Sequence, residues 1–438
     1  MASPFTDAVV KSMRTLYPEA LADKSFDNTG LLLEAPFLPQ RRNRNSVLLT
    51  IDLTKAVAEE AIENKHSVVV AYHPIIFRGL KSITLEDSQQ KSLLRLAAHG
   101  VSVYSPHTAV DTVPGGMGDW LCDVVTGKVD SEEAENETEA TSPASDTDRS
   151  TSGSEMYGSP RGGNDATDSA SNRPKTPSSQ TKRPRLSHRT YSKPTYPKPT
   201  PTFHSAVLPH TRQVVTPSPS SALEAANTLL SSSSTPQGYT ATNTGAGRLI
   251  SFTTPQPLTL LITRIAHAIG LPKGFPVAIP QLPTPKFKSV DDIHITTVGV
   301  CPGSGASVLR ACSPPPDLIF TGEMSHHEAL AVTERGGCVI TLFHSNSERG
   351  YLWSTMRNKL EDEVKKVWER TRAEMKRAGG GEDGFEDGVE EILEDESVEV
   401  VVSERDRDCF GIVVLEESEV QGLTLRGEGD VVDDEESD

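Results

Sequence analysis

Three stretches of this chain end an apolar run in imidazole or carboxylate. The run Cys338 to Phe343 delivers His344 and Glu348 into a loop, Ser67 to Ala71 leads into Tyr72-His73-Pro74, and Val101 to Tyr104 leads into Ser105-Pro106-His107-Thr108-Ala109-Val110-Asp111. Ligands at a strand's end are held by the sheet yet open to solvent, which is what a metal centre needs. Imidazole and carboxylate together suit Zn, Mn, Fe, Co or Ni, and the absence of cysteine from these loops argues against a structural thiolate zinc site. A carboxylate can bridge two ions about 4 Å apart, and Asp111 or Glu348 could take that role. Water shared between two cations loses a proton near neutral pH, so hydrolysis is the natural reaction class. A lone histidine is more often a surface or hydrogen-bonded group; His73, His107, Asp111, His344 and Glu348 taken jointly at strand ends favour a metal centre. Ser325-His326-His327-Glu328 is different, because adjacent residues on a helix face about 100° apart and at most one reaches the site. Glu323, His327 and His107 are the candidates for catalytic or substrate-contacting roles, with purely structural roles equally open.

The elements that must position these residues follow from periodicity and turn chemistry. Phe5, Val9, Met13 and Leu16 recur at helical spacing before Pro18. Phe26-Asp27-Asn28-Thr29-Gly30 reads as a turn into Leu31 to Leu33. Strands at Ser46 to Leu53, Ser67 to Ala71 and Val101 to Tyr104 alternate with helices at Lys55 to Asn64 and Ser88 to His99, and Gly115-Gly116 opens a helix through Trp120 to Val125. Such alternation predicts a parallel sheet covered by helices, with ligands at the strand C-termini. In the second half, Leu258 to Ile269 traces a helical face that stops at Gly270 and Pro272. A strand at Ile293 to Val300 runs into Cys301-Pro302-Gly303-Ser304-Gly305, read as a close strand-to-helix turn, since no Gly-Lys-Ser/Thr ending marks a phosphate loop. Leu318 to Thr321, the helix Ser325 to Glu334, Cys338 to Phe343 and a helix from Tyr351 to Ala373 follow. Val398 to Val402 and Phe410 to Leu415 read as edge-like strands.

Composition divides the 438 residues into an N-terminal α/β lobe at 1–127, a Ser/Thr/Pro-rich insertion at 128–244 expected to be disordered, a C-terminal α/β lobe at 245–415 and an acidic tail at 416–438. A Gly/Glu-rich insertion at 376–397 interrupts the second lobe, and Ala222 to Leu230 has the composition of a transient helix. The net charge of -18 disfavours direct nucleic-acid binding. The five cysteines show no paired spacing and mostly border apolar strands, as reduced core residues of an intracellular protein do. No run of about 18 apolar residues predicts a membrane span, and the acidic start does not resemble a transit peptide. The basic cluster Lys182-Arg183-Pro184-Arg185 fits either nuclear import or anion attraction, which places the cytoplasm first, the nucleus second and the mitochondrion third.

Seven motifs in order resemble the Nif-three-like family (NGG-one-interacting factor three), also described as GTP cyclohydrolase type-two-like: Phe26-Asp27-Asn28-Thr29-Gly30-Leu31, Tyr72-His73-Pro74-Ile75-Ile76-Phe77, His107-Thr108-Ala109-Val110-Asp111, Gly245-Ala246-Gly247-Arg248, Cys301-Pro302-Gly303-Ser304-Gly305, Thr321-Gly322-Glu323 with His326-His327, and His344-Ser345-Asn346-Ser347-Glu348. They cover nearly all of the chain expected to be ordered, and neither the insertion nor the acidic tail. The resemblance implies two related α/β lobes with mainly parallel sheets, a site for two divalent metal ions between them, and ring-shaped homo-oligomers, a hexamer foremost. It implies His73, Asp111, His344 and Glu348 as metal ligands with His107 close by. Many members carry two adjacent histidines where this chain has Tyr72-His73, so one ion lacks a ligand or uses Tyr72 weakly. Two functions follow as expectations: a metal-dependent hydrolase of a nucleotide-like or other phosphate-bearing small molecule, or a non-enzymatic protein whose partners are linked to transcription and reached through the insertion.

Overall fold

The computed structural model describes residues 3–37, 42–128, 201–230, 238–270, 274–281, 289–378 and 388–413. The basic cluster, the acidic tail and most of the insertion lie outside them.

Helix α1 (Pro4–Leu16) starts on a proline whose missing N–H costs nothing at that position, and buries Phe5, Val9 and Met13 along one stripe. Strand β1 (Gly30–Leu33) is followed by β2 (Arg44–Thr50), α2 (Lys55–Glu63), β3 (His66–Ala71), α3 (Ser88–Ala98) and β4 (Ser102–Ser105). Thr54 and Asp87 cap α2 and α3 by accepting from Val57 N and Gln90 N. The short α4 (Thr108–Thr112) and α5 (Met117–Thr126) close this half. The second half runs β5 (His210–Pro217), α6 (Ser220–Leu230), β6 (Gly245–Pro257), α7 (Leu258–Ile269), β7 (Val277–Ala278), β8 (His294–Ser304), α8 (Ala306–Leu309), β9 (Leu318–Glu323), α9 (His326–Glu334), β10 (Cys338–Thr341), α10 (Asn346–Tyr351), a π-helical turn at Leu352–Met356, α11 (Arg357–Ala378), α12 (Val389–Glu394) and β11 (Glu399–Val402).

These strands form two sheets, ordered β1-β4-β3-β2-β11 and β5-β6-β8-β9-β10-β7. In the first, β2, β3, β4 and β11 run parallel and only β1 is antiparallel. The second is mixed, with β8, β9 and β10 parallel at its centre and antiparallel strands on either side. Alternation sorts the side chains: Val47, Leu49, Val68 and Val70 join the main core, whereas Leu48, Val69 and Ala71 point to a second cluster under α2 and α3. The main core also takes Val298, Val300, Phe320 and Ile340 from the second sheet and the apolar stripes of α1, α5, α7 and α11. Trp368 of α11, 1 % exposed, meets Phe5 of α1 edge to face at 5.5 Å. Truncating it to Ala removes about 3–5 kcal/mol of core packing.

The α/β class is as expected, and the elements differ from expectation at five places. Within 128–244, β5 and α6 are ordered elements: β5 pairs antiparallel with β6, and its Arg212 bonds Asp123 at 2.7 Å. A half-exposed edge strand carries too few apolar residues to stand out from polar surroundings. The C-terminal lobe does not end in its own sheet, because β11 adds to the first sheet beside β2, in register from Glu399 opposite Ser46. Within 376–397, α12 buries Val389, Ile392 and Leu393. Phe410 to Val413 forms no strand, and Phe410 is 61 % exposed. The Gly-rich turn belongs to the end of β8, which runs on to Ser304 before α8 begins. Four cysteines are buried as expected, and Cys409 is exposed.

Candidate metal centre

The C-terminal ends of β3, β8, β9 and β10 meet at one place. His73 stands two residues past β3, His344 three past β10, and Glu348 lies in the first turn of α10. One ligand atom from each of these three side chains lies within 4.8 Å of the other two. Each imidazole presents Nε2 to the carboxylate of Glu348, His73 to Oε2 and His344 to Oε1, both at 3.5 Å. The far nitrogen of each ring is held by another carboxylate: His73 Nδ1 by Asp52 at 2.9 Å and His344 Nδ1 by Glu323 at 2.9 Å. Carboxylates on Nδ1 fix the tautomer that leaves Nε2 with its lone pair toward the shared space, the usual outer arrangement of a ligating histidine.

Glu348 is 1 % exposed, and its Oε2 has no hydrogen-bond partner among the described residues. A buried carboxylate oxygen without a donor is costly unless a cation satisfies it. Gly303, at φ +56°, supplies the floor: a Cβ there would stand 2.8 Å from Glu348 Oε1 and 2.9 Å from His344 Nε2. Its N–H donates to Ser347 Oγ at 2.9 Å, pinning β8 to the segment that carries His344 and Glu348. Burial alone lowers the His73 imidazole, yet the Glu348 and Asp52 carboxylates push it up to about 10. Burial raises Asp52, but the hydrogen bond and charge of His73, with Arg349, hold it below the usual carboxylate range. The excess of carboxylate over cationic groups thus draws positive charge, and these residues fit a divalent ion.

The remaining expected residues fall around this cluster. Asp111, on α4, is half-buried and accepts from Tyr72 Oη at 2.7 Å. Its carboxyl is held well above the ordinary range by burial, which outweighs the Tyr72 hydrogen bond and is reinforced by the Glu348 charge. Tyr72 therefore spends its hydroxyl on Asp111, and burial keeps the phenol protonated. His107 stacks edgewise on His73, centroids 5.5 Å apart, with Nδ1 bound to Asp27 at 2.7 Å. His107 and Phe343 both have positive φ, 33° and 66°, a strained state for such residues that marks the two loops bounding the centre. Glu323 sits outside the ligand cluster as the clamp on His344. His327 is exposed on the first turn of α9 with its ring against His326, and is not brought into the cluster.

Asp52 and Arg349 are not among the residues expected from the sequence, and Asp27 is expected there only as a turn former within the Phe26 to Leu31 motif. Asp52 carried the same signal as the other ligand loops, since it follows the apolar run of β2, but it was absorbed into the strand expected to reach Leu53. The sequence model of the family described as Duf34/NIF3 (NGG1p interacting factor 3) matches residues 6–377. The Protein NIF3 homolog of Schizosaccharomyces pombe is 37% identical over 351 residues, covering 80% of this chain and 87% of the relative. NGG1-interacting factor 3 of Saccharomyces cerevisiae is 29% identical over 366 residues, covering 82% and 92%. The fold is similar to that of a Bacillus cereus protein related to NIF3, with a TM-score of 0.51 at 16% identity over 92% of this chain and 98% of the other. With matched motifs, matched fold and a relative of this likeness over four-fifths of its length, the chain belongs to the Duf34/NIF3 family.

Proposed function

We propose that this protein is a metal-dependent hydrolase of a phosphate-bearing small molecule, built on a dinuclear centre. The observation that carries the reading is the buried Glu348 carboxylate, its Oε2 without a hydrogen bond, facing the Nε2 atoms of His73 and His344 at 3.5 Å. His73, His344 and Glu348 would hold one ion, and Asp111, released from Tyr72, would serve a second. A divalent ion of the Zn, Mn, Fe, Co or Ni type supplies Lewis acidity toward a phosphoryl oxygen and acidifies water. The chain's own contribution is orientation and binding. Asp52 and Glu323 hold both imidazoles in the ligating tautomer. A cleft of about 660 Å³ opens beside His73 and Asp52, with Lys55, Arg405 and Arg407 on its walls. Its size suits a small molecule, and Asp52 and Asp408 stand on its walls beside the three cationic side chains.

The test is metal analysis of the purified protein by mass spectrometry, coupled to hydrolysis of a panel of nucleotides and cyclic phosphate esters with added Mn or Zn. Bound metal and turnover in the native protein, both lost in His344→Ala, are expected. A protein that binds metal and turns over nothing on a broad panel overturns the hydrolase, and one that binds none overturns the centre itself.

A second reading, a non-enzymatic partner-binding protein, is favoured by a separate observation. Phe26, Phe77, Leu80, Ile83 and Leu85 are exposed large apolar side chains, and the Phe26 and Phe77 rings lie 6.3 Å apart beside His107. The Saccharomyces cerevisiae relative is named for an interaction with NGG1. A Glu348→Ala variant that loses metal and keeps binding to a protein of that kind would favour this reading. Under it the protein works in the cytoplasm or nucleus, and in either reading a homo-oligomeric ring is the proposed assembly. No helix among the described residues is long and apolar enough to cross a membrane.

A further inference from the structure

We infer that the segment after β11, residues 403–410, is a strap whose aspartates Asp406 and Asp408 are positioning residues for the metal centre. The inference rests on the metal-centre reading above. The strap leaves the first sheet and is anchored on α2, where the Glu60 carboxylate accepts from Ser403 Oγ, Glu404 N and Arg405 N. Arg405 adds an ion pair to Glu63. It then passes over the seam between the ligand loops and grips both.

Asp406 Oδ2 accepts from Ile51 N at 2.7 Å and pairs with Arg349 Nη1 at 2.6 Å, both side chains about 95 % buried, at 4 % and 5 % exposure. Ile51 precedes Asp52, the clamp on His73, and Arg349 follows Glu348. Arg349 Nη2 lies 3.5 Å from Asp52 Oδ2. A continuous polar chain therefore runs from the strap through Arg349 and Asp52 to the His73 ring. Asp408 Oδ2 accepts from Ser345 N at 3.1 Å and from Ser345 Oγ at 2.6 Å, fixing the residue after His344. Ser345 Oγ in turn accepts from Arg349 Nε at 3.1 Å and Nη2 at 2.9 Å. His73 comes from one sheet and His344 and Glu348 from the other, so nothing in either sheet alone sets the distance between them. The strap bonds to both sides, and Arg349 is the shared knot.

The experiment measures metal affinity by competition with a chromogenic chelator, using Zn and Mn separately, in the full-length chain. Outer hydrogen-bonding partners of ligands are worth about 10–100-fold in affinity; Asp408 bonds the residue beside His344 and not a ligand itself, so a loss of about tenfold, the lower end of that range, is expected for Asp408→Ala. Asp408→Asn should stay near the native affinity, since its side-chain oxygen can accept both Ser345 donors. That rescue separates positioning from general packing. Asp406→Asn leaves Arg349 buried without its full countercharge and is prone to misfold, so the native protein supplies a second measurement. Coupling is reciprocal, and amide exchange at 404–406 should slow by a similar factor when metal binds. Native affinity in Asp408→Ala, or metal binding that leaves exchange in the strap unchanged, overturns the inference. Failure of the native protein to bind metal at all is a different result and overturns the underlying reading.

Discussion

Replacing Gly303 by Ala puts a single methyl group where the ligand atoms converge. The added Cβ would stand 2.8 Å from Glu348 Oε1 and 2.9 Å from His344 Nε2, against the 3.4 Å at which ordinary contact begins. Relief requires Oε1 to retreat by about 0.6 Å and Nε2 by about 0.5 Å, the differences between those figures. Metal–ligand distances tolerate about 0.2 Å, so the displacement is some two to three times what a bound ion accepts. Both side chains are clamped from behind, His344 by Glu323 and Glu348 by burial, which restricts compensation. The backbone cost is smaller: a side chain at φ +56° costs about 1–2 kcal/mol, and for a folded unit of this size each kcal/mol lowers Tm by about 2–4 °C. The expected result is a folded variant, melting a few degrees lower without metal, whose affinity for Zn or Mn falls by at least 100-fold in chelator competition and whose purified form carries little metal. Native stoichiometry and affinity in Gly303→Ala would refute the placement of the ion between Glu348 and His344.

The raised His73 imidazole makes metal binding proton-linked. Since the metal-free ring stays protonated up to about 10, binding at neutral pH must expel about one proton from it, and affinity should rise about tenfold per pH unit below that value; calorimetry in buffers of different ionisation enthalpy reads the proton, and no release would refute it. For the metal-free protein the sign reverses: the folded value exceeds the unfolded 6.5, so the stabilisation from His73 is complete below that pH and fades as pH rises toward about 10. His66, lowered from 6.5 first by burial and then by Arg44, behaves oppositely. The unfolded chain takes up its proton first, stability falls as pH drops below about 6.5, and His66→Gln should flatten that fall in thermal unfolding. Tyr72→His frees Asp111 from its hydroxyl donor and adds an imidazole beside His73, so metals per chain should rise; an unchanged ratio would show that Tyr72 is not what limits occupancy.

Much of this candidate centre is legible because the residues expected to build it share a local signature. His73, Asp111, His344 and Glu348 each follow an apolar run, and strand period and helix caps are properties of neighbouring residues. Gly270 in the left-handed conformation ends α7 where its pattern stopped, and Ser325 and Glu328 form the capping box that opens α9. What was illegible depends on pairing across the chain. β11 reads as an edge strand anywhere, and nothing in Glu399 to Val402 says that its neighbour is β2, some 350 residues earlier. Asp406 and Asp408 sit in an Arg-Asp-Arg-Asp run that resembles a solvated turn, and only the fold reveals Arg349 and Ser345 opposite them.

That return of the chain also explains why the centre and the fold belong together. α11 packs on α1 through Trp368 and Phe5, and β11 then completes the first sheet, so the C-terminal segment is interleaved with the N-terminal half before the strap begins. His73 and Glu348 stand on opposite sides of that docking, the first just beyond β3 and the second on α10. A cation held between them would be coupled to the docking of the two sheets, so a change that loosens the docking should also weaken metal binding. In the metal-free protein the Glu348 carboxylate has the His73 imidazolium as its countercharge at 3.5 Å; a divalent ion would displace that proton and take its place, fastening the seam as well as supplying chemistry.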